Sequence, residues 1–227
     1  DCDLVVIFNG DVLSAHDLSR QIKFHLKERA DVTLYLTEVS DARAYGSVEL
    51  LGNSVVKSFN EKMDNPPSNL INAGCYIFNR NVINKIEPNK VVSVERETFP
   101  QLLKSGHKVL GFVDRNYWLD IGNPSALLRA TRDLISGRAT SAALTEAFSS
   151  GRIIREDLGL AHGVNVVIRK PSTQDSGCFI DSGAVIGIDS TLSNCIVGEG
   201  AEIGEKAVLI NTFIAPGFKV PPATLAE

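Results

Sequence analysis

The last fifty residues carry aliphatic side chains six positions apart, and the pattern recurs 17 positions further along the chain. The recurring positions are Ile180, Ile186, Leu192, Val197, Ile203, Leu209, Ile214 and Val220. One aliphatic side chain per short strand fills the interior of a three-sided coil, and Gly, Asp and Asn suit its corners. The spacing predicts a left-handed parallel β-helix of hexapeptide repeats over residues 178–227, about two and a half coils long. So short a β-helix has an open end, so we expect a cap or a homo-oligomer formed through it.

The first part of the sequence alternates strand and helix patterns, which is typical of an α/β domain with a mostly parallel sheet. The strand patterns cover 3–8, 31–39, a hairpin at 46–62, 71–79 and 108–114, and the helix patterns cover 14–30, 96–106 and 124–137. Ser14 is the predicted N-cap of the first helix. Pro124 and Gly137 bracket the last helix, as helix start and stop signals do.

The sequence predicts three regions, and it also predicts a further segment before the first of them. Residues 1–137 form the α/β domain, 138–177 a linker and 178–227 the β-helix. The chain begins directly on the apolar run at 4–8, which reads as a strand buried on both faces and therefore central in its sheet. We therefore expect a further segment before Asp1.

Composition excludes several classes of function. A net charge of −4 gives no reason to expect nucleic-acid binding, which needs a basic face. No apolar run approaches the roughly 20 residues of a membrane span. The cysteines Cys2, Cys75, Cys178 and Cys195 show no metal-binding spacing, so buried reduced thiols in a cytoplasmic protein are expected.

Two aspartates follow strand patterns at points where α/β sheets bind ligands. Asp11 ends "FNGD" at 8–11, and Asp120 lies in "YWLDIGNP" at 117–124, beside the only tryptophan. Each segment alone also reads as an ordinary turn. Two carboxylates at neighbouring strand ends would make a hard-oxygen site for Mg²⁺, completed by water and phosphate oxygens.

Two further segments carry polar residues next to strands. "NEKM" at 60–63 contains Glu61 and Lys62, which a solvated charge pair would also explain. "NAGCYIF" at 72–78 places Asn72 and Gly74 at the start of an apolar strand, where an edge turn is the simpler explanation.

In this order, and with a hexapeptide repeat behind them, the four segments resemble the sugar-phosphate nucleotidyltransferases. "FNGDVLS", "INAGCYIF" and "VSVERETFP" are most similar to the mannose-1-phosphate guanylyltransferase branch. The resemblance covers about residues 3–135 by motif and 178–222 by repeat type. It implies a Rossmann-like nucleotidyltransferase domain, here without its N-terminal part.

The resemblance also implies a reaction and a role for each residue. A sugar 1-phosphate oxygen attacks the α-phosphorus of a nucleoside triphosphate, with GTP and mannose 1-phosphate favoured, and pyrophosphate leaves. Asp11 and Asp120 would hold Mg²⁺, and Lys62 would neutralise the sugar phosphate. Glu61, Asn72 and the backbone near Gly46 and Gly74 would hold sugar hydroxyls.

The sequence departs from the family pattern in three places. The Gly-rich phosphate loop that precedes these motifs in the family is missing, Met63 replaces a common Pro, and Asn123 replaces a common Thr. The chain alone is therefore expected to be poorly active.

Other functions remain open at this point. A thymidylyl- or uridylyltransferase acting on glucose 1-phosphate would carry the same motifs. A non-catalytic sugar-nucleotide sensor would not need the two aspartates. An acyltransferase, the other common activity of hexapeptide β-helices, is disfavoured because residues 178–227 contain no histidine to act as base.

Overall fold

The computed structural model describes residues 3–174 and 177–227, and the chain divides into two compact units. The first unit contains the residues through Val12 together with His16–Trp118. The second contains Leu13–Ala15 and Leu119–Glu227. In the described residues, no helix is both long and apolar enough to cross a membrane.

Residues 3–120 contain eight strands and three α-helices. The strands are β1 Leu4–Phe8, β2 Val12–Ser14, β3 Val32–Glu38, β4 Gly46–Leu50, β5 Val56–Glu61, β6 Leu70–Asn79, β7 Val109–Val113 and β8 Trp118–Asp120. The helices are α1 Leu18–Glu28, α2 Arg80–Ile83 and α3 Phe99–Lys104, with a 3₁₀ turn at Gly52–Ser54 and a π-helical turn at Val94–Thr98.

The main sheet of the first unit is mixed, which corrects the predicted mostly parallel sheet. Its order is β5-β4-β6-β3-β7, and β1 also pairs with β6. Only β3 and β7 are parallel, while β6 runs antiparallel to β1, β3 and β4. Strand direction depends on pairings between distant segments, which leave no local signal in the sequence.

Two local predictions for the first unit also change. The residues of β1 are mostly half-buried and Phe8 is 56% exposed, so β1 is not the fully buried strand that its apolar run predicted. Helix α1 begins at Leu18, and its N-cap is Asp17, whose side chain accepts a hydrogen bond from the Arg20 N–H. Ser14, the predicted cap, lies in β2. The acidic side chain three residues closer to the helix caps it instead.

The core of the first unit lies between the sheet and its helices. It is made by buried side chains of β3, β6, β7 and α3, with Tyr35, Phe78 and Phe99 among the largest. The Phe99 ring stacks on Phe78 at 6.0 Å. This packing fixes β6, the strand that carries Asn72 and Gly74.

After β8, the described part of the chain forms two helices and then a parallel β-helix of four coils. The helices are α4 Pro124–Ile135 and α5 Ala142–Ser149. The strands are β9 Ile153–Arg155, β10 Leu160–Gly163, β11 Val167–Ile168, β12 Thr173–Gln174, β13 Cys178–Ile180, β14 Val185–Ile186, β15 Thr191–Ser193, β16 Ile196–Val197, β17 Glu202–Ile203, β18 Val208–Ile210, β19 Phe213–Ile214, β20 Lys219–Val220 and β21 Leu225–Ala226. The predicted repeat residues fill the interior of the coils.

The β-helix starts earlier than the sequence indicates. Strands β10, β11 and β12 pair in parallel with β13, β14 and β15, so the first coil lies inside the predicted linker at 138–177, of which 175 and 176 are outside the described residues. His162 pairs with Ile180 and Gln174 with Leu192, so two of the three repeat positions are polar in this coil. A search for aliphatic residues at a six-residue spacing therefore does not detect this first coil.

The boundary between the units also differs from the predicted one at residue 137. Helix α4 belongs to the second unit and contacts β13 there. As the sequence indicates, Pro124 opens this helix and Gly137 follows its end with a positive φ of 78°. Three cysteines, Cys75, Cys178 and Cys195, are free and buried as predicted, whereas Cys2 lies outside the described residues.

Candidate functional site

The β4–β5 hairpin brings Gly46 directly opposite Glu61. A Cβ atom at Gly46 would lie 2.8 Å from the Phe59 ring and 2.9 Å from Glu61 Oε2. Both distances are shorter than normal van der Waals contact, so only glycine fits here without moving the carboxylate. Gly46 therefore makes room for the Glu61 side chain.

Glu61 is a mostly buried carboxylate with spare hydrogen-bonding capacity. Its side chain is 14% exposed, and Oε2 is buried without a hydrogen-bond partner among the described residues. Burial raises the pKa of Glu61, and the negative charge of Glu95 raises it further. Lys62 partly offsets both effects, since its Nζ lies 3.9 Å from Glu61 Oε1.

Lys62 itself is exposed and turns the chain at the end of β5. Its φ is 49°, a left-handed conformation, and its backbone N–H donates to the Tyr45 carbonyl at 3.2 Å. This backbone bond anchors the main chain at Lys62, and the exposed ammonium group, 3.9 Å from Glu61 Oε1, can also reach a ligand.

A second group of polar side chains surrounds the start of β6. Asn72 Nδ2 donates to Tyr76 Oη and to Glu95 Oε1, each at 2.6 Å. Tyr76 Oη lies 3.1 Å from Glu95 Oε1 and 3.4 Å from Asn9 Oδ1. Asn72 and Tyr76 are buried, and Glu95 is half-buried. Burial raises the pKa of the Tyr76 hydroxyl, so it acts as a neutral donor.

Gly74 joins this group to the turn after β1. It has a φ of +80°, and its N–H lies 3.3 Å from Asn72 Oδ1. The Asn9 N–H donates to the Gly74 carbonyl at 2.8 Å, and a Cβ at Gly74 would lie 3.0 Å from the Asn9 side chain. Glycine is therefore required for both backbone conformation and space.

The structure places the two predicted metal ligands in different surroundings. Asp11 is exposed in the turn between β1 and β2. Asp120 ends β8 in the second unit, is half-buried, and accepts a hydrogen bond from the Gly122 N–H at 2.8 Å. No group of three or more His, Cys, Asp or Glu residues in 3–174 and 177–227 is arranged to hold a metal. A site formed by this pair of aspartates stays a prediction.

Sequence reasoning missed three members of the site: Asn9, Tyr76 and Glu95. Tyr76 and Glu95 lie within segments that carry the family resemblance, "INAGCYIF" and "VSVERETFP". Neither has a local pattern that indicates a role, because they meet Asn72 only through the fold. The structure thus brings together Gly46, Glu61 and Lys62 on one hairpin, and Asn72 and Gly74 on the neighbouring strand.

Comparison with known proteins identifies the family. Residues 1–137 match the nucleotidyl transferase family model. A mannose-1-phosphate guanylyltransferase from Mycobacterium tuberculosis is 41% identical over 186 residues, which cover 82% of this chain and 49% of that protein. A probable mannose-1-phosphate guanylyltransferase from Oryza sativa is 30% identical over 184 residues, which cover 78% of this chain and 49% of that protein.

A solved structure supports the fold. The putative glucose-1-phosphate thymidylyltransferase from Bacillus anthracis matches with a TM-score of 0.50 and 21% identity, over 56% of this chain and 53% of that one. This likeness shows a common fold and nothing finer. The chain spans about half the length of the curated relatives it matches. On the family match and the 41% identity, the chain belongs to the nucleotidyl transferase family.

Proposed function

We propose that this chain provides the sugar-phosphate side of a nucleotidyl transfer, in which GTP and mannose 1-phosphate give GDP-mannose and pyrophosphate. The observation that carries the proposal is the pairing of a buried carboxylate, Glu61, with an exposed ammonium group, Lys62, at the end of one strand. A carboxylate accepts hydrogen bonds from sugar hydroxyls, and an ammonium group neutralises a phosphate. The relatives named for mannose 1-phosphate support this choice of sugar.

In this proposal the protein acts by holding the reactants in line. Glu61 and the backbone at Gly46 and Gly74 bind the sugar, and Lys62 binds its phosphate. A phosphate oxygen then attacks the α-phosphorus of the nucleotide, its new P–O bond forming as the bond to pyrophosphate breaks. Such transfers depend mainly on positioning and charge neutralisation, so no nucleophilic side chain is needed.

Asp11 and Asp120 are suited to Mg²⁺ by the chemistry of their donors. Both offer carboxylate oxygens, the ligands Mg²⁺ prefers, and Mg²⁺ usually completes its shell with water and phosphate oxygens. Asp120 uses one oxygen in the Gly122 hydrogen bond, and its second oxygen can serve as a ligand. When bound, the ion would neutralise charge on the phosphates.

The first test is a calorimetric titration of this chain with mannose 1-phosphate. Replacing Lys62 by Met removes the charge but keeps the length of the side chain, and should weaken binding about 10- to 100-fold, the loss of one charged hydrogen bond. Lys57→Met is the matched control, since Lys57 pairs with Glu49 on the far part of the same hairpin. Equal affinity of wild type and Lys62→Met would contradict the proposal.

The same titration with glucose 1-phosphate tests the choice of sugar, and a pyrophosphate-release assay with GTP and mannose 1-phosphate tests turnover. Asp11→Asn and Asp120→Asn should each abolish Mg²⁺-dependent turnover in a protein that has it. Turnover that survives both changes would contradict the proposed roles of these aspartates.

A further inference from the structure

Asn72 has little capacity left to bind a sugar. A side-chain amide has two N–H donors, and those of Asn72 are both used, one by Tyr76 Oη and one by Glu95 Oε1. Its Oδ1 atom faces the Gly74 N–H. A sugar hydroxyl that accepted a hydrogen bond from Asn72 would have to replace one of these two 2.6 Å bonds. The bond to Glu95 is made to a carboxylate. Charge-assisted bonds of this length are among the stronger ones in proteins.

Glu95, in contrast, keeps one oxygen available. Its bonds to Asn72 and Tyr76 both use Oε1, so Oε2 can accept from another donor. The side chain extends from the π-helical turn Val94–Thr98, which begins after Ser93, whose hydroxyl accepts a hydrogen bond from the Arg96 N–H. Two donors and a capped turn therefore hold the Glu95 carboxylate in one orientation.

Glu61 supplies the second acceptor. Its Oε2 is buried and has no hydrogen-bond partner among the described residues, a condition that costs free energy in the absence of a ligand. Strand β5, which ends at Glu61, contacts the π-helical turn that carries Glu95, so the two carboxylates lie near each other. After burial, the negative charge of Glu95 is the next cause that raises the pKa of Glu61. Two neighbouring carboxylates can accept hydrogen bonds but cannot donate them when ionised, so they select a ligand with neighbouring hydroxyl donors.

We propose that Glu95 is a sugar-binding residue, that Glu95 and Glu61 together accept hydrogen bonds from two neighbouring ring hydroxyls of the sugar 1-phosphate, and that Asn72 positions Glu95 without contacting the sugar. The proposal rests on the proposed function of the site. It assigns a role to Glu95 and changes the role predicted for Asn72.

The test compares Glu95→Gln with Glu97→Gln by calorimetric titration with mannose 1-phosphate. Gln at 95 keeps the size of the side chain but removes its charge, and affinity should fall about 10- to 100-fold. Glu97 lies on the same turn, is exposed, and its Oε1 accepts from the Ser93 N–H, which Gln can also do. Glu97→Gln should change the affinity less than about twofold.

A structural role for Glu95 is separated from binding by deoxy analogues of mannose 1-phosphate that lack one ring hydroxyl each. For the analogue without the hydroxyl that Glu95 holds, wild type and Glu95→Gln should bind with nearly equal affinity, because both lack the contact. If Glu95→Gln weakens binding of every analogue by the same factor, Glu95 does not touch the sugar and the proposal is overturned.

Two further measurements keep the test decisive. If Glu95→Gln does not fold, Glu95→Asp keeps the carboxylate and shortens its reach, and the deoxy series on wild type must still show losses at two neighbouring positions; losses at none would overturn the proposal. If wild type binds no sugar 1-phosphate, the proposed function itself fails. If wild type binds and Glu95→Gln binds equally well, only the role of Glu95 fails.

Discussion

Glu61 shows, at the scale of one residue, how a site can be built at the expense of stability. The carboxylate is largely removed from water and lies near a second carboxylate, and its Oε2 has no hydrogen-bond partner within 3–174 and 177–227. The cations that lower its pKa, Lys62 and Arg96, are both exposed. Burying an ionised group without full compensation lowers stability. Such residues are commonly retained because they bind a ligand.

Replacing Glu61 by Gln should therefore stabilise the free protein while weakening sugar binding. Its pKa is raised in the folded state, so ionised Glu61 destabilises the fold above that pKa and does not once the pH falls below the ordinary value of 4.5. At pH 7.5 we expect Tm to rise by about 2–4 °C, which corresponds to about 1 kcal/mol for a chain of this size. Calorimetric scans should show the gain shrinking toward pH 4.

Glu49→Gln is the control for that comparison. Glu49 lies in the same hairpin and bonds to Lys57 at 2.7 Å, which lowers the pKa of Glu49. Its replacement should give no gain in Tm at pH 7.5. A gain for Glu49→Gln equal to that of Glu61→Gln would attribute the effect to net charge and contradict the argument.

Gly46→Ala tests the space that the site requires. The new Cβ would displace either the Phe59 ring or the Glu61 carboxylate, so stability should fall by about 1–3 kcal/mol and affinity for mannose 1-phosphate by about tenfold or more. Gly52→Ala, in the turn of the same hairpin, has nothing within 4 Å of its Cβ and should change neither. Equal effects of the two substitutions on affinity would contradict this role for Gly46.

At this scale the sequence predicts residues that belong to short motifs and misses those joined by the fold. Glu61, Lys62, Asn72 and Gly74 stand in short contiguous motifs that the sequence singles out, and their roles in binding stay predictions. Glu95 lies 23 positions from its partner Asn72, and no pattern in the chain connects them. The burial that perturbs Glu61 is likewise visible only in the structure.

At the scale of elements, the β-helix is the part that the sequence predicts best. Each interior position needs an aliphatic side chain, so the six-residue spacing of aliphatic residues follows directly from the packing of the coils. The first coil escapes the pattern because His162 and Gln174 occupy interior positions. The main sheet is harder to predict, because the antiparallel placement of β6 depends on partners far away in sequence.

Leu192→Ala measures the contribution of one interior position. Leu192 is 0% exposed, so removing three carbon atoms leaves a cavity between coils and should cost about 2–5 kcal/mol. Leu225→Ala is the control. Leu225 lies in β21, in the same sheet β12-β15-β18-β21 as Leu192, but it is 78% exposed, so its replacement should cost under about 0.5 kcal/mol. Denaturant unfolding of both variants checks the difference, and comparable losses would mean that the coil interior is not close-packed.

At the scale of the whole molecule, family membership is the conclusion that several weak motifs support together. Each of the four segments is too common to identify the family by itself. The four segments in this order, followed by a hexapeptide repeat, indicate the family. The match to residues 1–137 and the 41% identity agree with that prediction. The family match also ends at residue 137, where the sequence predicts the end of the α/β domain. The compact units divide elsewhere because α4 contacts β13, and an ordinary helix pattern does not indicate which element a helix contacts.

Acid should weaken the protein through a buried histidine. His25 lies against Thr33 and Asn79, at 2.8 and 3.2 Å, and burial lowers its pKa below the ordinary value of 6.5. The unfolded chain therefore binds a proton there before the folded one does, and stability falls as the pH drops below 6.5. In denaturant titrations from pH 7.5 to 5, His25→Gln should show a shallower loss. An unchanged slope would contradict this assignment.

The coil spacing has a mechanical consequence. Beyond the first coil, neighbouring coils are 17 residues apart, and three short parallel ladders join each coil to the next. Tension applied to the C-terminus would act on the ladders of the last coil first, so the coils should unfold one after another from that end. Each unfolding step would release about 50–60 Å of chain length, the extended length of one 17-residue coil. Steps of equal length would therefore measure the 17-residue repeat of the sequence.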